Sequence, residues 1–254
     1  MSVVNFNMVS SGSKGNSTLI WDRENLILVD FGITLKRLRE RLAANRIGDL
    51  EASLFISHEH SDHSRGAKML ARNMPVGIYT REATASALGL KDAYSIRDSV
   101  VLGNFEIKAI SVSHDAVDPV AYSVRCGRTM ISVVSDLGRM TDDVAERIKG
   151  SDILAIEANH DEKLLMAGSY PEMLKRRILS NHGHLSNRQT AEKITGLVKP
   201  DTRIILTHLS QENNRPEIAL NEIGTALAES GTPYGHLECA SQDSGSSFFS
   251  LEID

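Results

Sequence analysis

Short runs of apolar and β-branched residues are spread along the chain, and segments with the spacing of amphipathic helices separate them. The first third predicts strands and helices in mixed order, with strands at Val3–Val9, Thr18–Trp21, Leu26–Val29 and Leu54–Ile56, and helices at Thr34–Ala44 and Gly66–Asn73. The remainder predicts strands at Val76–Tyr79, Phe105–Ser111, Tyr122–Cys126, Met130–Val134, Ile153–Ile156, Ile204–Leu206 and Phe248–Ile253, and helices at Asp142–Ile148, Pro171–Leu179, Asn187–Val198 and Pro216–Glu229. Such a mixture is typical of β-sheets covered by helices.

Polar residues with catalytic potential fall where several of the predicted strands end. They are His58, Asp136, Glu157 and His208, each at or just beyond the end of an apolar run. Loops at one edge of a sheet are where ligand-binding groups gather. We therefore expect these side chains to meet at a common rim.

The composition is that of an ordinary globular protein, with 254 residues, 41% hydrophobic and 24% charged. Neither a linker-like stretch nor an internal repeat interrupts the sequence, so we expect a single domain over residues 1–254. No stretch approaches the roughly 18 consecutive apolar residues of a membrane span, and the first residues do not resemble a signal peptide. These features predict a cytoplasmic protein with no membrane partner.

Charge and cysteine content exclude some further classes of protein. The net charge of −5 argues against a generic nucleic-acid coat protein, so a polyanion would need a local basic patch. The run from Arg37 to Arg46, or the run from Lys175 to Arg177, could form one, although solvated helix faces are the more ordinary interpretation. Cys126 and Cys239 form no CxxC motif, which argues against a disulfide framework or a thiolate metal site. Both cysteines are expected to be buried and reduced.

The strongest chemical signal is the hexapeptide HEHSDH, which brings His58, His60, Asp62 and His63 together directly after a predicted strand. Neutral imidazoles and carboxylates in one tight loop suit a divalent cation, which accepts both kinds of ligand. Further candidate ligands occur later in the chain, at His114, Asp136 and His208. Seven ligands are sufficient for two metal ions. Ligands of this kind favour zinc, and manganese or iron are alternatives.

These ordered motifs resemble those of the metallo-β-lactamase-fold hydrolases, and the resemblance covers essentially the whole chain. It implies a four-layer αβ/βα sandwich, with two mixed β-sheets flanked by helices and a dimetal centre at one edge. It also implies one metal site formed by His58, His60 and His114, a second formed by Asp62, His63 and His208, and a bridging carboxylate from Asp136.

Later motifs narrow the resemblance within that superfamily. The segment LAIEANHD, followed by HLSNRQTAEKI and ILTHLS, is similar to the motif order of the tRNase Z group. The matching residues are Glu157, His184, Ser186, Gln189 and Ala191. The motifs SGSKGNS, EANHD, NHGHLSN and THLSQENNRP are more similar still to the YycJ/WalJ group, which is regarded as a group of DNA exonucleases.

Phosphodiester hydrolysis gives three of these residues catalytic roles. The reaction needs an activated water, positive charge on the phosphate oxygens and a group that protonates or stabilises the departing alkoxide. An imidazole at His184, held and kept protonated by Glu157, could protonate the departing oxygen. Asp62 could also orient the attacking hydroxide. A helix-capping loop with no catalytic part is the alternative interpretation of His184.

The glycine-rich segment SGSKGNS has two interpretations at this point. It lacks the GxxxxGK[ST] pattern of a P-loop, and a tight turn between two strands is favoured. Its backbone N–H groups and Lys14 could also hold an anion. The resemblance implies that Asp30 supports the histidine loop, whereas the role of Ser57 stays open.

We therefore expect a dinuclear metal-dependent phosphodiesterase that acts on nucleic acid, with DNA exonuclease as the leading interpretation. A small-molecule hydrolase of the same fold, acting on a cyclic phosphodiester, thioester or lactone, is the first alternative. A metal-binding sensor without turnover is the second. The pair of His184 with Glu157 favours phosphate chemistry, because ester and lactone cleavage have less need of it.

Overall fold

The computed structural model describes residues 2–253, which form a mixed α/β architecture. The strands, numbered along the chain, are β1 (Ser2–Ser10), β2 (Ser17–Trp21), β3 (Asn25–Val29), β4 (Glu51–Phe55), β5 (Val76–Thr80), β6 (Tyr94–Ser95), β7 (Ser99–Leu102), β8 (Phe105–Ser111), β9 (Val120–Cys126), β10 (Thr129–Val134), β11 (Ile153–Glu157), β12 (Arg203–Thr207), β13 (His236–Cys239) and β14 (Phe249–Ile253). The helices are α1 (Leu35–Ala44), α2 (Ser61–Ser64), α3 (Ala67–Asn73), α4 (Glu82–Leu88), α5 (Asp142–Ile148), α6 (Glu162–Ala167), α7 (Glu172–Ile178), α8 (Asn187–Ile194) and α9 (Pro216–Glu229).

The strands form two mixed sheets of seven strands each. The first sheet has the order β14-β1-β2-β3-β4-β5-β6, and the second has the order β13-β12-β11-β10-β9-β8-β7. In the first sheet, β3, β4, β5 and β6 are parallel to one another, and in the second sheet β10 to β13 are parallel. Because parallel strands end at the same edge, the residues that follow β4, β10, β11 and β12 come close together.

Three apolar clusters hold four layers in place. One lies between the sheets and includes the large buried rings of Phe6, Phe105 and Tyr122. A second joins the other face of the second sheet to α5, α8 and α9, and a third joins the first sheet to α1 and α3. Burial on both faces explains why the central strands read as continuous apolar runs in the sequence. The expected arrangement of two helix-covered sheets is confirmed.

Most of the predicted elements are present, with a few shifted boundaries. The strand expected at Leu54–Ile56 begins earlier, at Glu51, because residues 51–55 pair in register with β3. The helix expected over Asn187–Val198 ends at Ile194, and a turn containing Gly196 follows it. The prediction ran too far because apolar residues after Gly196 continue the helical spacing. Glycine is a poor helix former, and the helix ends before it.

The sequence interpretation missed several short elements, namely α2, α4, α6, β6, β7 and β13. Each has seven residues or fewer, and too few turns or alternations to produce a readable period. The longest helix, α9, has 14 residues, and within residues 2–253 no helix combines the length and the apolar character needed to cross a membrane.

Candidate metal centre

The HEHSDH segment connects β4 to α2 and brings its ligand atoms to the edge where the two sheets meet. One group of donor atoms, each within 4.8 Å of the others, comes from His58, His60 and His114. A second group of the same compactness comes from Asp62, His63 and His208. Asp136 lies within this distance of His58 and His63, and also groups with Glu157, His184 and His208. The structure thus brings all seven candidate ligands together, in the grouping that the sequence resemblance implied.

Asp30 organises the histidine loop from the end of β3. Its Oδ2 lies 2.7 Å from Nδ1 of the fully buried His63. The backbone N–H of Ser57 donates to Oδ1 of Asp30, at 2.8 Å, and the Ser57 hydroxyl donates to Oδ2, at 2.9 Å. The same hydroxyl lies 2.9 Å from Nδ1 of His58. Ser57, whose role the sequence left open, therefore links Asp30 to the first histidine of the motif.

Partners outside the seven candidate ligands hold the outer nitrogens of His114 and His208. Nδ1 of His114 lies 3.1 Å from the carbonyl oxygen of Gly183, and Nδ1 of His208 lies 3.4 Å from Oε1 of Glu157. Their inner Nε2 atoms face the cluster, where His208 Nε2 lies 3.3 Å from Oδ2 of Asp62. Partners of this kind set the tautomer and orientation of a histidine that coordinates a metal.

The backbone turns sharply where strands deliver these side chains. Of the four non-glycine residues with positive φ within residues 2–253, three belong to the site: Asp30 at 61°, Asp136 at 57° and His208 at 56°. Each follows a strand of one of the two sheets. Such left-handed conformations are costly for most residues and are retained where the surroundings impose them. The turn brings each side chain to the rim instead of onto a face of the sheet.

The electrostatics of the cluster fit a divalent cation. Burial and the neighbouring His63 hold the pKa of His58 well below its ordinary value, so that this ring is neutral. Its Nε2 is buried and has no hydrogen-bond partner among the described residues. Burial alone would raise the pKa of Asp136, but His208 and His63 hold it well below the ordinary range. Neutral imidazole with an unused lone pair and an ionised carboxylate are the forms that coordinate a metal.

A second carboxylate–histidine pair lies beside the cluster. Oε1 of Glu157, at the end of β11, lies 2.7 Å from Nδ1 of His184. Its Oε2 accepts from the backbone N–H groups of Leu137 and Leu185, at 3.0 and 3.2 Å. Burial would raise the pKa of Glu157, but the neighbouring His184 lowers it to about 2. Burial disfavours the protonated His184 ring, yet Glu157 outweighs this effect and raises the pKa of His184.

The start of α8 fixes the loop that carries His184. Ser186 is the N-cap, and its side chain forms a reciprocal capping box with Gln189. Ala191, on the same helix, is buried in the core of the second sheet. Capping of α8 is thus done by Ser186 and Gln189. His184 lies two residues before the N-cap, and its ring is 17% exposed and lies 3.5 Å from Oδ1 of Asp136.

Asn16 is a site residue that the sequence analysis did not single out. Its side-chain nitrogen lies 3.2 Å from Oδ2 of Asp62 and 2.9 Å from Nε2 of His63. The close approach requires glycine at position 32, because a Cβ there would lie 1.6 Å from the carbonyl oxygen of Asp62. Position 15 is restricted similarly, since its φ is +145° and a Cβ there would lie 2.3 Å from the carbonyl oxygen of Gly32. The SGSKGNS segment is thus packed directly against the ligand loop.

The backbone of this segment does not form an anion cradle. Its N–H groups donate within the protein, those of Gly12 and Lys14 to the side chains of Asn16 and Gln242, and those of Gly15 and Asn16 to the carbonyls of Gly12 and Asp62. The tight-turn interpretation is the one that the contacts support. Lys14 is exposed beside the site and keeps its side chain available.

The remaining histidines and the cysteines do not join the cluster. His160 is buried with both ring nitrogens unpartnered among the described residues, and burial lowers its pKa to about 4. His182 is exposed, and its backbone carbonyl accepts from the N–H of Asp115. Cys126 is buried as expected, but Cys239 is only half-buried. Burial raises the pKa of the two thiols to about 11 and about 12, which makes them poor nucleophiles.

Comparison with protein families places the chain among known folds. The family described as "Beta-lactamase superfamily domain" matches residues 25–209. Among solved structures, the metallo-beta-lactamase fold protein YhfI from Bacillus subtilis has a TM-score of 0.73, with 17% sequence identity over 99% of this chain and 100% of that one. This structural similarity supports the two-sheet architecture.

Curated relatives match nearly the full length. Exodeoxyribonuclease YycJ of Bacillus anthracis is 32% identical over 244 residues, which cover 91% of this chain and 92% of that protein. Exodeoxyribonuclease WalJ of Streptococcus pneumoniae is 36% identical over 244 residues, which cover 91% of this chain and 90% of the relative. The resemblance to the YycJ/WalJ group is confirmed.

Proposed function

Because the chain belongs to the β-lactamase superfamily and is a metal-dependent hydrolase of the nuclease and phosphodiesterase type, we propose that it is a dinuclear DNA exonuclease. The observation that carries the proposal is the contact of Glu157 with His184 at 2.7 Å, next to the candidate metal cluster. We further propose that residues 1–254 act as one domain. A DNA substrate in the cell interior would place the enzyme in the cytoplasm.

In this proposal the ligands divide as the geometry groups them. His58, His60 and His114 would hold one ion, Asp62, His63 and His208 would hold the other, and Asp136 would be a ligand shared by both. Zinc is the ion expected in the native protein, and manganese could support activity. The two ions would supply an activated water and positive charge on the phosphate oxygens.

The protein groups supply the remaining chemistry. Asp30 and Ser57 keep the histidine loop in place, and Asn16 holds the Asp62 carboxylate. Asp62 is half-buried at the cluster, where its carboxylate can orient the attacking water on phosphorus. These contacts allow the ligand set to bind without a large rearrangement, which lowers the entropic cost of reaching the reactive geometry.

His184 is the group that acts on the leaving oxygen. Its Nδ1 is occupied by Glu157, which keeps a proton on the ring, while its Nε2 has no partner among residues 2–253. The departing 3′ or 5′ alkoxide of a DNA strand is a poor leaving group, so protonation by His184 would lower the barrier of that step. Ester and lactone hydrolysis by metal-activated water has less need of a buried Glu–His pair beside the metals.

The proposal is tested by digesting end-labelled single-stranded DNA, duplex DNA and RNA with purified protein loaded with zinc or manganese. We expect mononucleotides to be released from DNA ends, and no release when His58 is replaced by alanine. Cleavage of a cyclic phosphodiester, thioester or lactone without any cleavage of polynucleotides would assign a small-molecule hydrolase instead. Two bound metals with no hydrolysis of any of these substrates would assign a metal-binding sensor.

A further inference from the structure

A groove lined by basic residues extends from the metal-ligand loop across the outer part of the first sheet. Its larger part, about 640 Å³, lies between α3, the end of α4, strand β5 and the edge strand β6. A smaller part of about 200 Å³ adjoins it and reaches Ser64 and Arg65, directly after the ligand His63. Lys68 and Leu90 line both parts, so the two are adjacent. We call this surface the basic groove.

The cations of the basic groove follow one face of the helical segment that leaves the metal site. Arg65, Lys68 and Arg72 are spaced three and four residues apart, which places them on the same side of a helix. At a rise of about 1.5 Å per residue they span roughly 10 Å. Lys91 lines the far end of the groove, and Arg65 donates to the backbone carbonyl of Lys14 at the near end. A row of positive charge therefore runs from the metal loop outward.

Three of these four cations have no role in holding the protein together, and Arg65, which donates to Lys14, is the exception. The exposed side chains of Lys68, Arg72 and Lys91 make no hydrogen bond or ion pair with any residue from 2 to 253. Among the described residues that line the groove, Asp92 is the one acidic residue. A concentration of unpaired positive charge in a chain of net charge −5 is the signature of a site for a polyanion.

The two basic runs considered from sequence differ from the groove in this respect. Arg37 donates to the carbonyls of Val9, Gln242 and Asp243, and so holds the C-terminal segment against α1. Lys175 is buried and donates to the carbonyl of Met166, while Arg177 pairs with Asp115. Several members of those runs are thus occupied by internal contacts.

An exposed aromatic ring lies on the edge strand β6, which borders the groove. Tyr94, on the edge strand β6, is 59% exposed and stacks on Tyr79, with ring centroids 4.9 Å apart and planes at 22°. Tyr79 in turn stacks on Phe55, at 4.9 Å and 13°. Since β6 ends the first sheet, no further strand of residues 2–253 covers the outer side of Tyr94. Phe55 and Tyr79 belong to the apolar cluster between the two sheets, whereas α3 packs on the other face of the first sheet, so this column of rings lies on the opposite face from the groove cations.

We propose that the basic groove binds the backbone of a DNA strand that enters the metal centre, with Arg65, Lys68, Arg72 and Lys91 on its phosphates. This inference rests on the proposed function and adds to it the path of the substrate strand. The groove makes a polymer of several nucleotides bind better than a dinucleotide, since the phosphate contacts lie outside the reacting bond. Binding through the groove depends on salt, because phosphate neutralisation releases counterions.

The test compares two triple variants that remove the same positive charge. The groove variant carries Lys68→Ala, Arg72→Ala and Lys91→Ala. The control carries Arg128→Ala, Lys149→Ala and Lys193→Ala, at exposed cations in the turn before β10 and near the ends of α5 and α8. These three positions lie away from the metal cluster, which is at the C-terminal ends of β10 and β11 and at the start of α8. Metal content and thermal unfolding of both variants are measured first.

Binding is measured as the Kd for a fluorescent 20-nucleotide single strand, by anisotropy, over a range of salt concentrations. The protein carries His184→Ala, so that the strand is not degraded, and is compared with and without each triple change. We expect the groove change to weaken binding at least tenfold, and to reduce the slope of log Kd against log salt by about 2, for three phosphate contacts on a single strand. Tyr94→Ala, on the opposite face of the sheet from the cations, should alter the Kd less than threefold. The control change should alter the Kd less than threefold.

Hydrolysis separates this inference from the proposed function. In protein with an intact His184, the groove change should raise KM for the long strand and leave kcat/KM for a thymidine dinucleotide within about twofold. If the groove and control changes affect the Kd equally, or if neither affects it, the proposal that the basic groove binds DNA is wrong. An equal loss on the long strand and the dinucleotide would also overturn it. Wild-type protein that binds DNA through the groove but cleaves none would overturn the proposed function alone, whereas wild-type protein that binds no DNA would overturn both.

Discussion

The two carboxylate–histidine pairs of the molecule have the same contact but different surroundings. Asp30 follows β3 of the first sheet and lies 2.7 Å from Nδ1 of His63. Glu157 ends β11 of the second sheet and also lies 2.7 Å from Nδ1 of its histidine, His184. In addition, Asp30 accepts from one backbone N–H group and Glu157 from two. The two sheets thus contribute one pair each to the same rim.

The pairs differ in where the second ring nitrogen is placed. Nε2 of His63 is fully buried and lies 3.0 Å from Oδ2 of Asp136, inside the candidate metal cluster. The His184 ring is 17% exposed, and its Nε2 has no partner in the described part of the chain. A carboxylate behind an imidazole therefore does not determine its function. Under the proposed function, it would orient a metal ligand in the first pair and support a proton on the general acid in the second.

Replacing His184 with alanine should have the largest effect that leaves the metal site intact. We expect turnover of DNA to fall by roughly 10²–10⁴-fold, the range for loss of a positioned acid or base. Both metal ions should stay bound, because the ligand contacts of His63, His114 and His208 do not depend on this ring. Steady-state kinetics and metal analysis on the same preparation check this. Loss of metal together with activity would make His184 a ligand instead.

Replacing Asp30 with asparagine should affect metal binding instead of the chemical step. An amide in place of the carboxylate weakens the support of His63 and of the Ser57 loop, and we expect metal affinity to fall about 10–100-fold. Competition with a chelator of known affinity measures this change, and excess metal should restore most of the turnover. Activity that stays low at saturating metal would show that Asp30 acts on catalysis as His184 does.

Replacing Glu157 with glutamine should cause a smaller loss, of about tenfold in turnover, since the ring of His184 remains but loses the charge that favours its protonated form. The double substitution of Glu157 and His184 should differ from His184→Ala alone by less than about threefold, because both residues act through one step. Kinetics of the four proteins give the coupling. Additive losses would instead indicate that Glu157 acts mainly through its contact with Nδ1 of His208, at 3.4 Å.

Replacing Cys126 or Cys239 with alanine should leave turnover within about twofold. Neither pair involves a thiol, and burial keeps both thiols protonated by raising their pKa to about 11 and about 12. Initial rates with DNA, measured at equal metal content, check this prediction. A large loss in a folded, metal-loaded variant would point to a protein nucleophile and would remove the basis for comparing the two pairs.

Much of this arrangement was predictable from the chain. The apolar runs predict most strands because both faces of the central strands are buried, and the positions of His58, Asp136, Glu157 and His208 after strands predict one rim. The HEHSDH spacing and the motif around His184 predict the candidate ligands and the second pair. These signals are local in sequence, or depend on strand ends that meet at one edge.

The features that could not be predicted depend on contacts between distant segments. Asn16 meets Asp62 and His63 only because Gly32 allows the loops to approach, and a sequence pattern does not specify that distance. The basic groove escaped notice because Lys68 and Lys91 are 23 positions apart and lie on different elements. The charge runs in the sequence indicated Arg37 instead. Its hydrogen bonds to the C-terminal segment could be identified only from the structure.

The central claim is that His184, unlike His63, acts on the leaving group, and the most direct test compares two substrates with different leaving groups. His184→Ala and wild-type protein are assayed on a DNA strand and on a nitrophenyl phosphodiester of thymidine, at the same metal content. The loss expected on DNA, roughly 10²–10⁴-fold, should shrink to less than about tenfold on the nitrophenyl ester, because a stable phenolate needs little protonation. An equal loss on both substrates would contradict the account and would assign His184 to phosphate positioning.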